Sequence, residues 1–205
     1  MDIKEFAEQI KKKKAELVDL YERRMPVFVG RIAKDHYQEN FRKQGFVNDG
    51  LQKWQPSQRL SSGGSSAGDN YGTLLSGRNH LFSSVNYTPQ NARVRVYNDA
   101  PHAPTHNFGG TLKPTVTPRM RRFAWAQYYR VSGKGKKEGK RRKTSENVVQ
   151  QEESTEALNW KKLALTKKTH LSIKMPARPF LGESKELDEK ISEKAETEIR
   201  KILNK

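Results

Sequence analysis

Between Ser132 and Thr155 the chain offers two large apolar side chains, Val148 and Val149, while Lys134 to Lys143 alone holds seven Lys or Arg. A stretch of that kind cannot bury enough apolar surface to offset the entropy of ordering it. Any core must be built around it, which makes 132–156 a basic excursion and not a core element. The rest of the chain has little apolar material to spare. Leu, Ile, Val and Phe number 41 of 205 residues, or 20 %, at the border where low hydrophobicity and high charge begin to favour disorder. The expectation is a small core with long flexible loops, completed by burial against other subunits.

The formal charge of +17 is just as uneven. Arg119 to Lys143 carries eleven bases and one acid, Glu138; Leu158 to Arg178 carries six bases and no acid; the remainder is nearly balanced at 23 bases and 22 acids. Two readings stay open. A concentrated basic region is the electrostatic footprint of a polyanion partner, and it is equally the makeup of a solvated loop. The absence of cysteine excludes a disulfide framework, a thiolate metal site and a cysteine nucleophile. No apolar run approaches the ~20 residues of a membrane span. The first residues, MDIKEFAEQIKKKK, place charge where a signal peptide needs its apolar stretch. A cytoplasmic protein with no membrane contact is expected.

Asp2 and Glu5 have the spacing of a capping box, opening a helix with Phe6, Ile10, Leu17 and Tyr21 on one face. Pro26 interrupts it. A second periodic run follows, with Val29, Ile32, Ala33, His36, Tyr37 and Phe41, and Gly45 is its expected stop. Residues 1–45 thus read as two helices, or one kinked at Met25-Pro26. Residues 46–73 read as a connector, flexible by composition at Ser61 to Gly68. From 74 to 205 a small α+β core is expected, in a single domain overall. Its Ala92 to Tyr97 alternates like a half-buried strand, paired with Ser83 to Thr88 through a turn at Pro89-Gln90-Asn91. Val116 ends a short strand. Thr117-Pro118 then caps a helix bearing Met120, Phe123, Ala124, Tyr128 and Val131. Trp160, Leu163 and Leu165 mark a return to structure, and His170 to Met175 reads as a strand. Ser184 caps a last helix with Leu187, Ile191, Ala195, Ile199 and Leu203 on one face.

Catalytic chemistry finds little footing. Gly133 to Lys140 has glycine spacings wrong for a Walker loop, with no Ser or Thr after Lys140. Asp99, His102 and His106 lack a fourth ligand or a nucleophile to activate. No cofactor or metal is expected. Two short motifs are more informative. One is Ala103 with His106-Asn107-Phe108-Gly109-Gly110; the other is Met175-Pro176-Ala177-Arg178-Pro179-Phe180-Leu181-Gly182. Gly109 and Gly110 permit a positive-φ turn, Pro176 and Pro179 hold the chain extended beside Arg178, and Phe180 anchors in the core. A structural clasp accounts for all of these residues without a substrate.

In this order and position, the two motifs resemble the phage virion morphogenesis family, the tail completion proteins of Mu-like phages and prophages. Leu74-Leu75-Ser76-Gly77 with Leu81 and Ser84 is similar to a further family segment. Thr117 to Ala126 and Trp160 to Lys168 look like an added helical region found in part of the family. The resemblance implies an α+β subunit, with a short antiparallel sheet packed against N-terminal, middle and C-terminal helices. It also implies a structural, non-enzymatic role: completing the tail and joining it to the head within a homo-oligomeric ring. Tail tube and head-connector proteins would be the partners. Assembly would take place in the cytoplasm of the bacterial host, and the protein would end at the virion neck or tail end. Lys134, Lys136, Lys137, Lys140, Arg141, Arg142 and Lys143 are the candidate contacts to genomic DNA or to a docking ring. The alternative is a stand-alone nucleic-acid-binding protein, since the helix from Pro118 mixes cations and aromatic rings.

Overall fold

The computed structural model describes residues 2–57, 60, 71–133 and 154–204. The fold is α+β, and the chain divides into two compact units, one of residues 1–110 with 175–205 and one of residues 111–174. The boundaries expected at 45 and 73 fall inside the first unit, and the Ser/Gly run at 61–68 lies outside the described residues.

In the first unit, α1 (Ile3–Asp19) begins with the Asp2 N–H donating to Glu5 Oε2 at 3.2 Å. It runs without a break through a π-helical turn (Leu20–Arg24) into α2 (Met25–Lys43). Pro26 has no N–H to give, so the carbonyl of Glu22, four residues back, is left without its helical donor. The Ala92 N–H fills it at 3.0 Å. Most of the expected face of the first helix is exposed: Phe6, Ile10 and Tyr21 are 54 %, 51 % and 65 % exposed, while Leu17 is half-buried and Leu20 is buried. On α2 the predicted Ala33, His36, Tyr37 and Phe41 are buried. Gln44, at φ 53°, ends the helix in place of Gly45, which opens β1 (Gly45–Val47). Strand β1 pairs antiparallel with β2 (Leu51–Lys53), so the first part of the expected connector is an ordered ribbon. A short α3 (His80–Ser83) leads to β3 (Val85–Gln90), paired with β4 (Arg93–Asn98) from Val85↔Asn98 to Gln90↔Arg93. The strand therefore continues through Pro89 and the turn is Asn91-Ala92. A two-stranded ribbon allows this, because its outer edge needs no N–H from proline. Val94 and Val96 are half-buried and Arg93 and Arg95 exposed, as the alternation predicts. A Cβ on Gly30 would stand 2.1 Å from Tyr87 Cδ2; glycine lets the hairpin close on α2.

Helix α4 (Ala103–Phe108) precedes β5 (Gly110–Leu112), which pairs with β6 (Ile173–Met175). The second unit is a helical pair, α5 (Pro118–Ser132) and α6 (Thr155–Leu165). Both N-termini are capped by side chains: Thr117 Oγ1 accepts from the Met120 N–H, and Ser154 Oγ from the Ala157 N–H, each at 3.2 Å. Ala124, Ala157 and Ala164 are buried beside Tyr128, and small side chains there let the two helices approach closely. The Arg121 guanidinium donates to the Thr166 carbonyl. Phe123 was expected in this core but is 56 % exposed, its ring edge-on to Trp160 at 5.9 Å. The expected strand at Val116 is a single bridge, Thr115↔His170, and β6 begins only at Ile173.

The chain returns to the first unit with α7 (Lys185–Leu203), started by Ser184 Oγ accepting from the Leu187 N–H at 3.3 Å. Leu187 is buried and Ile191 half-buried, but Ile199 and Leu203 are 39 % and 50 % exposed, and Glu198 and Ile202 are buried in their place. The reason is geometric. A strict i, i+4 series drifts by about 40° per step around a helix of 3.6 residues per turn, so after four steps it faces nearly the opposite way. Glu198 is held by Lys194 Nζ at 2.8 Å, Lys201 Nζ at 2.9 Å and Arg24 Nη2 at 3.2 Å. Hydrogen bonds from Lys194 and Lys201 bring its carboxyl down to about 2. That stabilisation is fully present above the ordinary carboxyl range near 4.3 and is lost as pH falls towards 2. Glu198→Gln should therefore melt below wild type at pH 7, with the gap closing as the pH of the melts is lowered through that window. A gap independent of pH would assign Glu198 a packing role instead.

Candidate functional site

The two motifs converge in the first unit. Asn107 sits at the centre: its Oδ1 accepts from the Phe180 N–H at 2.8 Å and the Leu181 N–H at 3.0 Å, while its Nδ2 donates to the Leu181 carbonyl at 3.1 Å. The Arg178 N–H donates to the His106 carbonyl at 2.8 Å. Other side chains receive the remaining carbonyls of the segment. Trp54 Nε1 donates to Pro179 at 2.7 Å, Asn40 Nδ2 to Phe180 at 3.3 Å, and the Tyr37 hydroxyl to Gly182 at 2.8 Å. An extended segment that passes through a core must satisfy its backbone groups somewhere. Here four side chains from α2, α4 and the residue after β2 do so.

Phe180 is fully buried, its ring centroid 5.0 Å from that of Phe41. Arg178 is also buried, yet its guanidinium meets backbone carbonyls, Nε donating to Gln55 at 2.8 Å and Nη2 to Pro56 at 3.3 Å. Burial pushes its pKa down from the usual value. Gly109, at φ 73° and ψ −174°, occupies a region essentially reserved for glycine. A Cβ there would also lie 2.9 Å from the Ala177 nitrogen. Gly110, at φ 150°, likewise needs glycine. A Cβ on Gly182 would meet Phe46 Cζ at 3.3 Å. Pro176 is half-buried and Pro179 exposed. His106, Gly109, Arg178, Pro179, Phe180 and Gly182 thus meet in one clasp.

Of Asp99, His102 and His106, the two imidazoles are neighbours, while Asp99 accepts from Asn86 Nδ2 at 3.5 Å. His102 lies between His80 and His106, with ring centroids 5.7 and 5.6 Å apart. Burial is the main cause lowering the His106 pKa, with His102 and Arg178 adding to it. Among the described residues no group of three or more His, Asp or Glu could hold a metal ion, and no helix is long and apolar enough to cross a membrane.

The candidate DNA or docking contacts, Lys134, Lys136, Lys137, Lys140, Arg141, Arg142 and Lys143, lie outside the described residues. The described part of the second unit is basic nonetheless, with ten Lys or Arg against one acid, Glu156. Asn107 lies inside the first motif and Tyr37 on the expected core face of α2, but neither was given a hydrogen-bonding role from sequence, and Asn40 and Trp54 were not named as site residues.

The family model for the phage virion morphogenesis family matches residues 5–200, a span that contains both motifs. No curated protein and no solved structure gives a significant match.

Proposed function

The chain belongs to the phage virion morphogenesis family, and from that premise we propose that it completes the phage tail and joins it to the head as one subunit of a connector ring. The match over 5–200 carries this reading. The protein acts as a structural part without catalysis, and its partners are further copies of the chain, the tail tube protein and the head connector. A clasp that ties α2, α4 and the lead into α7 together suits a subunit that must keep its shape under load. Helix α1 supports the ring: it has no buried residue and exposes Ile3 by 84 %, with Phe6 and Ile10 about half exposed. Apolar side chains so placed fit burial against a neighbouring copy in a head-to-tail interface that closes by rotation.

The test is a phage carrying a stop codon in this gene. Separate heads and tails are expected, with infectivity restored when the purified protein is added to the tails before mixing with heads. Joined particles without the protein would overturn the proposal. Phe6→Glu with Ile10→Glu is expected to melt like wild type, since neither side chain is in the core, and to fail in the restoration assay. The basic second unit favours a second reading, a stand-alone nucleic-acid-binding protein. Such a protein would leave joining intact when removed.

A further inference from the structure

Helix α5 contains no acid. At about 100° per residue, Arg119, Arg122, Phe123, Ala126, Tyr129 and Arg130 fall within an arc of about 120°, and all six are exposed. The opposite side of the helix is the one packed against α6, through Ala124 and Tyr128. The outward face thus carries three guanidinium groups and two rings around a central alanine, and among the described residues none of the three arginines is in an ion pair. Arg119 and Arg122 stand one turn apart and repel one another, and Arg130 extends the same positive face about 12 Å further along the helix. A polyanion would relieve the repulsion.

We propose that this face of α5 contacts duplex DNA through its phosphate backbone, independently of sequence. Three features favour that occupant. Guanidinium forks match phosphate oxygens in pairs. A helix about 10–12 Å across with a small residue at the centre of its face fits a major groove about 12 Å wide, leaving the flanking arginines level with the phosphates. The rings are already engaged, Tyr129 stacked on Trp125 at 5.8 Å and Phe123 edge-on to Trp160 at 5.9 Å. They are held as flat apolar walls and are not free to slide between unstacked bases. The inference rests on this face alone and does not depend on a place at the head–tail junction.

The experiment measures binding of a short fluorescein-labelled DNA duplex of mixed sequence to the full-length protein across a salt series. It compares wild type with Arg119→Gln, Arg122→Gln and Arg130→Gln combined, changes that keep good helix formers at exposed positions. Removing three phosphate contacts should lower the slope of log K against log salt by between about two and three. Because the bases at 134–143 will also attract DNA, the triple change is repeated with those seven residues replaced by Gln, and the same fall in slope is expected there. An unchanged slope in both backgrounds, with melting temperatures preserved, would overturn the proposal. So would tighter binding of a single strand of equal length, or displacement of the duplex by an equal charge of polyglutamate. If the triple change lowers the melting temperature, Arg122→Gln alone is used, and its slope should fall by about one.

Discussion

Replacing Phe180 with alanine should cost about 3–5 kcal/mol, the usual penalty for deleting a fully buried phenylalanine ring. Phe180 has no exposed surface, and its ring lies against Phe41, which is equally buried and packs edge-on to Trp54 and Phe82. The cavity would open beside Phe41, the ring that joins Phe180 to Trp54 and Phe82. Urea unfolding monitored by tryptophan fluorescence would measure the loss. A midpoint within error of wild type would mean that the ring is exposed in solution, and the motif would then be better read as an intersubunit contact.

The second large effect is expected at Asn107. One carboxamide makes three hydrogen bonds to the Phe180–Leu181 backbone, and Asn107 itself is 6 % exposed. A typical bond is worth about 0.5–1.5 kcal/mol net, but a buried group left without its partner costs about 1–3 kcal/mol. Asn107→Ala orphans two N–H groups and a carbonyl on the fully buried Phe180 and the half-buried Leu181. A loss of about 3 kcal/mol or more is therefore expected. Amide hydrogen exchange at Phe180 and Leu181 should quicken well beyond the change at Leu187. A loss under about 1 kcal/mol, with exchange unchanged, would show that water replaces the carboxamide and that the clasp is not closed by it.

Much of the local structure was legible because it depends on neighbours in the chain. Thr117 and Ser184 cap helices through their own side chains and the N–H three residues on, so no distant contact is needed to recognise them. The alternation over Arg93 to Val96 and the burial of Ala33, Tyr37 and Phe41 follow from the 2.0 and 3.6 periods of strand and helix. The Gly109-Gly110 break was equally visible, because positive φ restricts the residue type.

The positions that turned out differently are decided partly by partners far along the chain and partly by helix geometry that a simple i, i+4 count overlooks. Of the two readings of residues 1–45, two helices or one passing Pro26, the structure has the continuous one, and Ala92, in a hairpin, supplies an N–H to the Glu22 carbonyl. Phe123 faces outward because the contact with α6 is made through alanines. Ile199 and Leu203 give way to Glu198 and Ile202 because helical drift turns the i, i+4 series away from the core, and because Lys194, Lys201 and Arg24 make a buried carboxylate tolerable there. The amino-acid sequence by itself determined the family, the α+β class, the caps, and the two motifs that had to meet. Only the tertiary structure decided how they meet. Asn107, Asn40, Trp54 and Tyr37 are brought to residues 179–182 from 73 to 145 positions away, and a side chain's ability to satisfy a distant backbone leaves no period or spacing in the sequence.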